Sequence, residues 1–201
     1  LVLLGMGFVG LVIASALGTS EKLKQAEQEK YIRQFKYPPG IYEKFCKKRP
    51  GTSHKEFQLV SRGLRYFFLA YHASGCKAVS MPSEIADDLW HEFILYTKAY
   101  KEFCDNSFDK FLHHTPAAAL GETHDKDKAL KRTWWYCCKE QNINPENASR
   151  LPLLFALDQK MKVSDGYRYS LNCEQEKANG NRTTQCAAGF YPVTVSDIAD
   201  T

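Results

Sequence analysis

Asp87, Asp88, His91, His113 and His114 lie within one stretch, from Met81 to Pro116, that carries three of the chain's six histidines. Counted at 100° per residue from Ile85, Asp87 falls near about 200°, His91 near about 240° and Asp88 near about 300° on a helical wheel. Asp87 and His91 stand at i and i+4 and so share a stripe, with Asp88 beside it. A carboxylate and an imidazole at that spacing can bind one metal ion, or the carboxylate can orient the ring for acid/base work. Two ligands from one helix leave a site incomplete. His113 and His114 follow a loop and can fold back to supply the third and fourth. Asp and His ligands suit zinc, iron or manganese. In this reading Asp87, His91, His113 and His114 are the metal set, and Asp88 is the candidate catalytic base.

The same residues also have a structural reading. Asp87 and Asp88 stand near a helix N-terminus, where the dipole favours acids. His91 could simply hydrogen-bond Asp87, and His113 and His114 could cap a helix end. Cys104 sits at the edge of an apolar stripe, which suits packing better than nucleophilic chemistry. Trp134, Trp135 and Tyr136 read first as core and edge packing.

Positioning such a site falls to helices. Pro82 suits the first turn of a long helix, because the missing amide costs nothing there. Ile85, Leu89, Phe93, Tyr96, Tyr100 and Phe103 then form one apolar stripe, widened by Trp90 and Ile94, until Asp105-Asn106-Ser107 closes the element. A helix so broadly apolar packs on more than one side. Upstream, Ser53 and Glu56 have the capping-box spacing, and Phe57, Val60, Leu64, Phe67, Phe68 and Tyr71 recur behind them to make an amphipathic helix to about Ala73. A short helix is expected from Ile41 to Lys48, between two proline-glycine breaks. Downstream, helices are expected from Thr123 to Gln141 and from Leu153 to Met161. Asp165-Gly166, flanked by Val163, Tyr167 and Tyr169, predicts a short hairpin.

The first seventeen residues, LVLLGMGFVGLVIASAL, carry no charge. That length is the short end of a membrane-spanning helix. Lys22, Lys24, Lys30, Arg33 and Lys36 follow, which by the positive-inside tendency puts the remainder on the cytoplasmic side. The expected fold is all-α: a transmembrane anchor over 1–19, a polar helical linker over 20–37, a compact multi-helix domain over 38–171 with at most a short C-terminal β-hairpin, and a polar tail over 172–201.

Composition narrows the function classes. With 44% hydrophobic and 25% charged residues the bulk is globular. The net charge of +4 is mild, and no Lys/Arg run with interleaved aromatics points to nucleic acid. Seven cysteines without a C-x-x-C spacing exclude a zinc ribbon or a thioredoxin-like motif. Cys173 and Cys186 are the one pair suggestive of a bridge or a shared metal, although free thiols in a reducing compartment are the simpler expectation.

The runs KYPPGIYEKF, GLRYFFLAY, MPSEIADDLWHEFILYTKAYKEFC, FLHHTP and RLPLLFALD, spread over about residues 30 to 170, resemble a family of uncharacterised bacterial proteins with a membrane-anchored N-terminus. That family is similar in turn to the glycine-rich-domain-containing protein-like group. The residues that match its motifs are Asp87, Trp90, His91, Thr97, Tyr100, Cys104, His113, His114 and Pro116. The resemblance implies a single-pass protein of a bacterial inner membrane and raises the weight of the Asp/His constellation. The tail departs from the family, since Cys186-Ala187-Ala188-Gly189 stands where a glycine- and cysteine-rich run is usual.

Two functions follow as expectations. The first is a membrane-anchored metal-binding domain, hydrolase- or oxygenase-like, with zinc, iron or manganese. The second is a non-catalytic module that binds a protein partner at the inner membrane, in which the His/Asp network only locks helices together.

Overall fold

The computed structural model describes residues 2–114, 123–172 and 184–190, with backbone alone at 2–17, 123–126, 184 and 188–189. Within these residues the chain is mostly helical: α1 (Val2–Gln34), α2 (Ile41–Lys48), α3 (His54–Ala73), α4 (Glu84–Ile94), α5 (Thr97–Phe108), α6 (Thr123–Glu140) and α7 (Leu153–Lys160) precede two three-residue strands, β1 (Arg168–Ser170) and β2 (Thr184–Cys186), and a 3-10 turn, Ala187–Phe190.

α3 is the hub. It packs against α1, α4, α6 and α7. Its start is set by the capping box: the Glu56 amide donates to Ser53 Oγ at 3.3 Å and the Ser53 amide to Glu56 Oε2 at 2.8 Å. Val60, Leu64, Phe67 and Phe68 are buried along it. Gly63 lets α7 come close, since a Cβ there would lie 2.8 Å from Leu157 Cδ2.

The last turns of α1 pack on the same core. Ile32 is buried, worth about 2 kcal/mol on the usual scale for an aliphatic side chain. Arg33 forks onto both oxygens of Glu140 at 2.5 and 2.7 Å. Arg65 donates to the carbonyls of Ile32, Arg33 and Phe35 at the point where α1 ends. Among the described residues no helix is long and apolar enough to cross a membrane. The anchor expected over 1–19 falls mainly on residues 1–17, whose side chains lie outside those described.

Two expectations need correction. The long middle helix is two helices. Tyr96, with φ −83° and ψ 61°, leaves the helical region between α4 and α5. The break lets both helices bury their stripes in one core, where Phe93 meets Tyr100 edge to face at 5.1 Å and Phe103 at 5.4 Å. The hairpin is not formed either. β1 pairs with β2 in parallel, with Arg168 opposite Thr184 and Ser170 opposite Cys186. The backbone around Gly166 wraps the end of α7 instead: the Val163 amide donates to the Asp158 carbonyl at 2.9 Å, and the Tyr167 amide to Asp158 Oδ2 at 2.9 Å. A tight turn does form there, the Gly166 amide donating to the Val163 carbonyl at 3.3 Å, but with the Val163 and Tyr167 amides bound to Asp158 the residues flanking it do not pair as strands.

The segment after β2 joins the core, and Phe190 packs on Trp134, Phe155 and Tyr169 at centroid distances of 5.4 to 6.0 Å. Cys186 is disulfide-bonded. Cys173, its partner suspected from the sequence, lies outside the described residues. Cys46, Cys76, Cys104, Cys137 and Cys138 are free.

Candidate metal centre

The site begins at the N-terminus of α4. Ser83 caps it, accepting from the Ala86 amide at 3.3 Å. Beneath the cap lies Asp158, only 2% exposed. Its carboxylate accepts from the Ser83 hydroxyl at 2.7 Å and from the amides of Glu84 and Ile85 at 2.8 and 3.2 Å. A buried carboxylate is costly without compensation. Here the open amides and positive end of the α4 dipole supply it. α4 is thereby fixed at its first turn, and that turn carries Asp87.

His91 stands one turn further on, with Nδ1 at 3.5 Å from Asp87 Oδ2. His114 arrives from the loop after α5. Asp109 ends α5 in the left-handed conformation, φ 55°, and the loop is pinned two residues before His114. Trp90 Nε1 donates to the Tyr100 hydroxyl at 3.1 Å, which donates to the Leu112 carbonyl at 2.6 Å. Trp90 also meets the His114 ring edge to face at 4.7 Å. Held this way, His114 Nε2 lies 3.0 Å from Asp87 Oδ1, and its ring centroid is 4.2 Å from that of His91. One ligand atom from each of Asp87, His91 and His114 falls within 4.8 Å of the others, a separation one cation can bridge.

Partial burial lowers the His91 pKa below its ordinary value, with His114 and Lys48 adding to the effect and Asp87 opposing it. The neutral ring is the form a metal needs. Glu84, one turn before Asp87, has its carboxyl raised, first by burial and then by the negative charge of Asp87. Two histidines and one carboxylate leave coordination positions open, the donor set of non-haem iron and of many catalytic zinc sites.

The other candidates stand elsewhere. His113 is exposed and packs its ring on Phe111 at 4.8 Å. Asp88 is buried and bridged by Lys48 Nζ at 2.6 Å and Arg49 Nε at 2.5 Å, while Arg49 also reaches Asp165 at 3.2 Å. That network ties α2 and the turn after α7 to α4. Cys104 is fully buried and its thiol is pushed up by burial, away from thiolate chemistry. Trp134 is core, and Trp135 carries Lys139 over its ring at 4.9 Å.

Sequence reasoning missed Asp158 and Glu84. One signal marked Asp158: an acid within the last turns of the apolar run LLFAL, where the helix dipole disfavours it, suggests a partner outside its own helix. Glu84 lies three residues before Asp87 and seven before His91, on the same stripe, and a wheel begun one turn earlier includes it.

No curated protein and no solved structure matches the chain. A family model does match, over residues 27–190, and it describes an uncharacterised family. The likeness to the glycine-rich-domain-containing group is not confirmed. The match spans all seven helices but for the first part of α1, and with it every residue of the Asp87–His91–His114 cluster, so the chain belongs to the UCP032817-like family.

Proposed function

We propose that Asp87, His91 and His114 hold one divalent zinc, iron or manganese ion, and that the protein is a metal-dependent enzyme of hydrolase or oxygenase type. The convergence of one carboxylate and two imidazoles from two separate segments carries this reading. The ion would lie at a half-buried position open to substrate and polarise an oxygen bound to it. Asp158 and the Trp90–Tyr100–Leu112 chain hold the ligands in place. Asp88, already committed to Lys48 and Arg49, braces α4 and is not the base. Elemental mass spectrometry of the full chain, purified without a histidine tag and offered each metal, tests the site. About one ion per chain, lost in a folded His114→Asn variant, is expected. No ion in the wild type overturns the reading.

A second reading has an observation of its own. His114 Nε2 lies 3.0 Å from Asp87 Oδ1, hydrogen-bonding distance in its own right, so the network can serve as a helix lock in a module that recruits a protein partner at the membrane. It requires His114→Asn to lower stability with no metal to lose.

We also propose that residues 1–19 anchor the protein in a bacterial inner membrane, with the helical domain on the cytoplasmic side. The uncharged run and the basic residues after it support this. The disulfide at Cys186 is the observation that opposes it, since disulfides persist in oxidising compartments. Protease added to spheroplasts decides the side: a domain left intact until the membrane is opened supports the proposal, and digestion beforehand reverses it.

A further inference from the structure

α2 runs beside α4, and between them lies an open cleft of about 440 Å³ lined by Lys44, Lys47, Lys48 and Glu92. Its position on α4 follows from helical geometry. Glu92 is the residue after His91, about 100° round the helix from it. Lys48 bonds Asp88 at 2.6 Å, and Asp88 is next to Asp87. The cleft and the candidate metal centre are therefore adjacent faces of one helix. The charge in the cleft is unbalanced. Among the described residues Lys48 and Arg49 share Asp88, and Arg49 also holds Asp165. Lys44 rests its ammonium over the Tyr96 ring at 4.8 Å, and neither Lys44 nor Lys47 forms an ion pair with a described carboxylate.

We propose that this cleft is the anion subsite of the Asp87–His91–His114 centre, and that it takes the phosphate group of a substrate whose reacting atom faces the metal. The inference rests on the metal reading above. The choice of phosphate follows from the cations. Planar carboxylates are matched best by the arginine fork, and the arginine at hand, Arg49, is already spent on two aspartates. Lysines are compact point charges on flexible stems, and several of them can converge on a tetrahedral dianion. Glu92 limits the cleft's excess charge and disfavours a more highly charged polyphosphate.

The probe is inorganic phosphate, followed by phosphorus NMR on the full chain loaded with manganese. Loading is read separately, from loss of the free manganese signal in electron paramagnetic resonance. Bound manganese relaxes any phosphate held beside it. The expected result is strong relaxation in the wild type, with phosphate affinity about tenfold weaker in the Lys44→Gln/Lys47→Gln variant and manganese binding unchanged. Both lysines are exposed, so the variant keeps the fold. Manganese bound with phosphate unrelaxed, or relaxed equally in the variant, overturns the subsite and leaves the metal reading standing. Manganese not bound overturns the metal reading instead. Direct titration of the metal-free chain with phosphate then decides the cleft: binding lost in the double variant keeps it as an anion site, and no binding removes it.

Discussion

Trp90 Nε1 and the Tyr100 hydroxyl lie 3.1 Å apart, although ten residues along one straight helix would separate them by about 15 Å on its axis. The contact exists because the chain leaves helical geometry at Tyr96. It converts what reads as one long helix into a corner, and the corner brings the loop carrying His114 back over Asp87.

Tyr100→Phe tests that corner. It removes the hydroxyl that accepts from Trp90 and donates to the Leu112 carbonyl, leaving both buried groups without this partner. Stability is expected to fall by about 1 to 2 kcal/mol. Metal affinity is expected to fall about tenfold, as for other groups that orient a ligand. Urea denaturation and a metal titration measure the two effects. Unchanged metal affinity in a destabilised variant would show that His114 is held by Asp87 alone.

Asp158→Ala should be among the most destabilising single changes in the domain. It strips the Ser83 hydroxyl and the amides of Glu84, Ile85 and Tyr167 of their acceptor, at a cost of about 3 kcal/mol or more. Asp158→Asn keeps the shape but loses the charge facing the α4 N-terminus, and should cost less. Equal losses for the two would mean that the charge carries the whole effect and the shape none of it.

Gly166→Ala is expected to destabilise by about 2 kcal/mol through overpacking. A Cβ there would stand 2.6 Å from Asp158 Cβ and 2.9 Å from its Cγ and Oδ2, a side chain held in place by its hydrogen bonds. Because it presses on the carboxylate that seats α4, its effect should not add to that of Asp158→Ala. A double-mutant cycle in denaturant reads this directly, and simple additivity would contradict the shared site.

The pH dependence follows from His91. Its pKa is lowered in the folded chain, so the unfolded state takes up the proton first as pH falls. The contribution of the neutral ring to stability is present above the unfolded histidine value, near about 6.5, and is lost as pH drops from there through the folded value. Metal binding should weaken over the same window, since a proton competes for the ligand nitrogen. Imidazole NMR titration of the metal-free chain should give His91 a midpoint below the ordinary histidine range. A raised midpoint would mean that the Asp87 charge outweighs burial.

Local chemistry in the sequence determined most of the helices. Ser53 and Glu56 cap α3 as their spacing demands, Pro38-Pro39-Gly40 and Pro50-Gly51 bound α2, and the buried face of α3 repeats at helical intervals. Asp87 and His91 share a stripe because i and i+4 neighbours must do so on any helix. Tertiary structure decided what no spacing encodes. It chose His114 over its neighbour His113, because the pinned Leu112 carbonyl orients the loop so that one ring meets Trp90 and Asp87 and the other Phe111. It assigned Asp88 to Lys48 and Arg49, partners about forty residues away that pack beside it only once α2 lies on α4. It paired β1 with a strand beyond residue 183, because the residues flanking the Asp165-Gly166 turn, Val163 and Tyr167, donate their amides to Asp158 at the end of α7 and not to each other. In each case the local pattern leaves several outcomes of similar energy, and burial of polar groups with long-range partners selects among them.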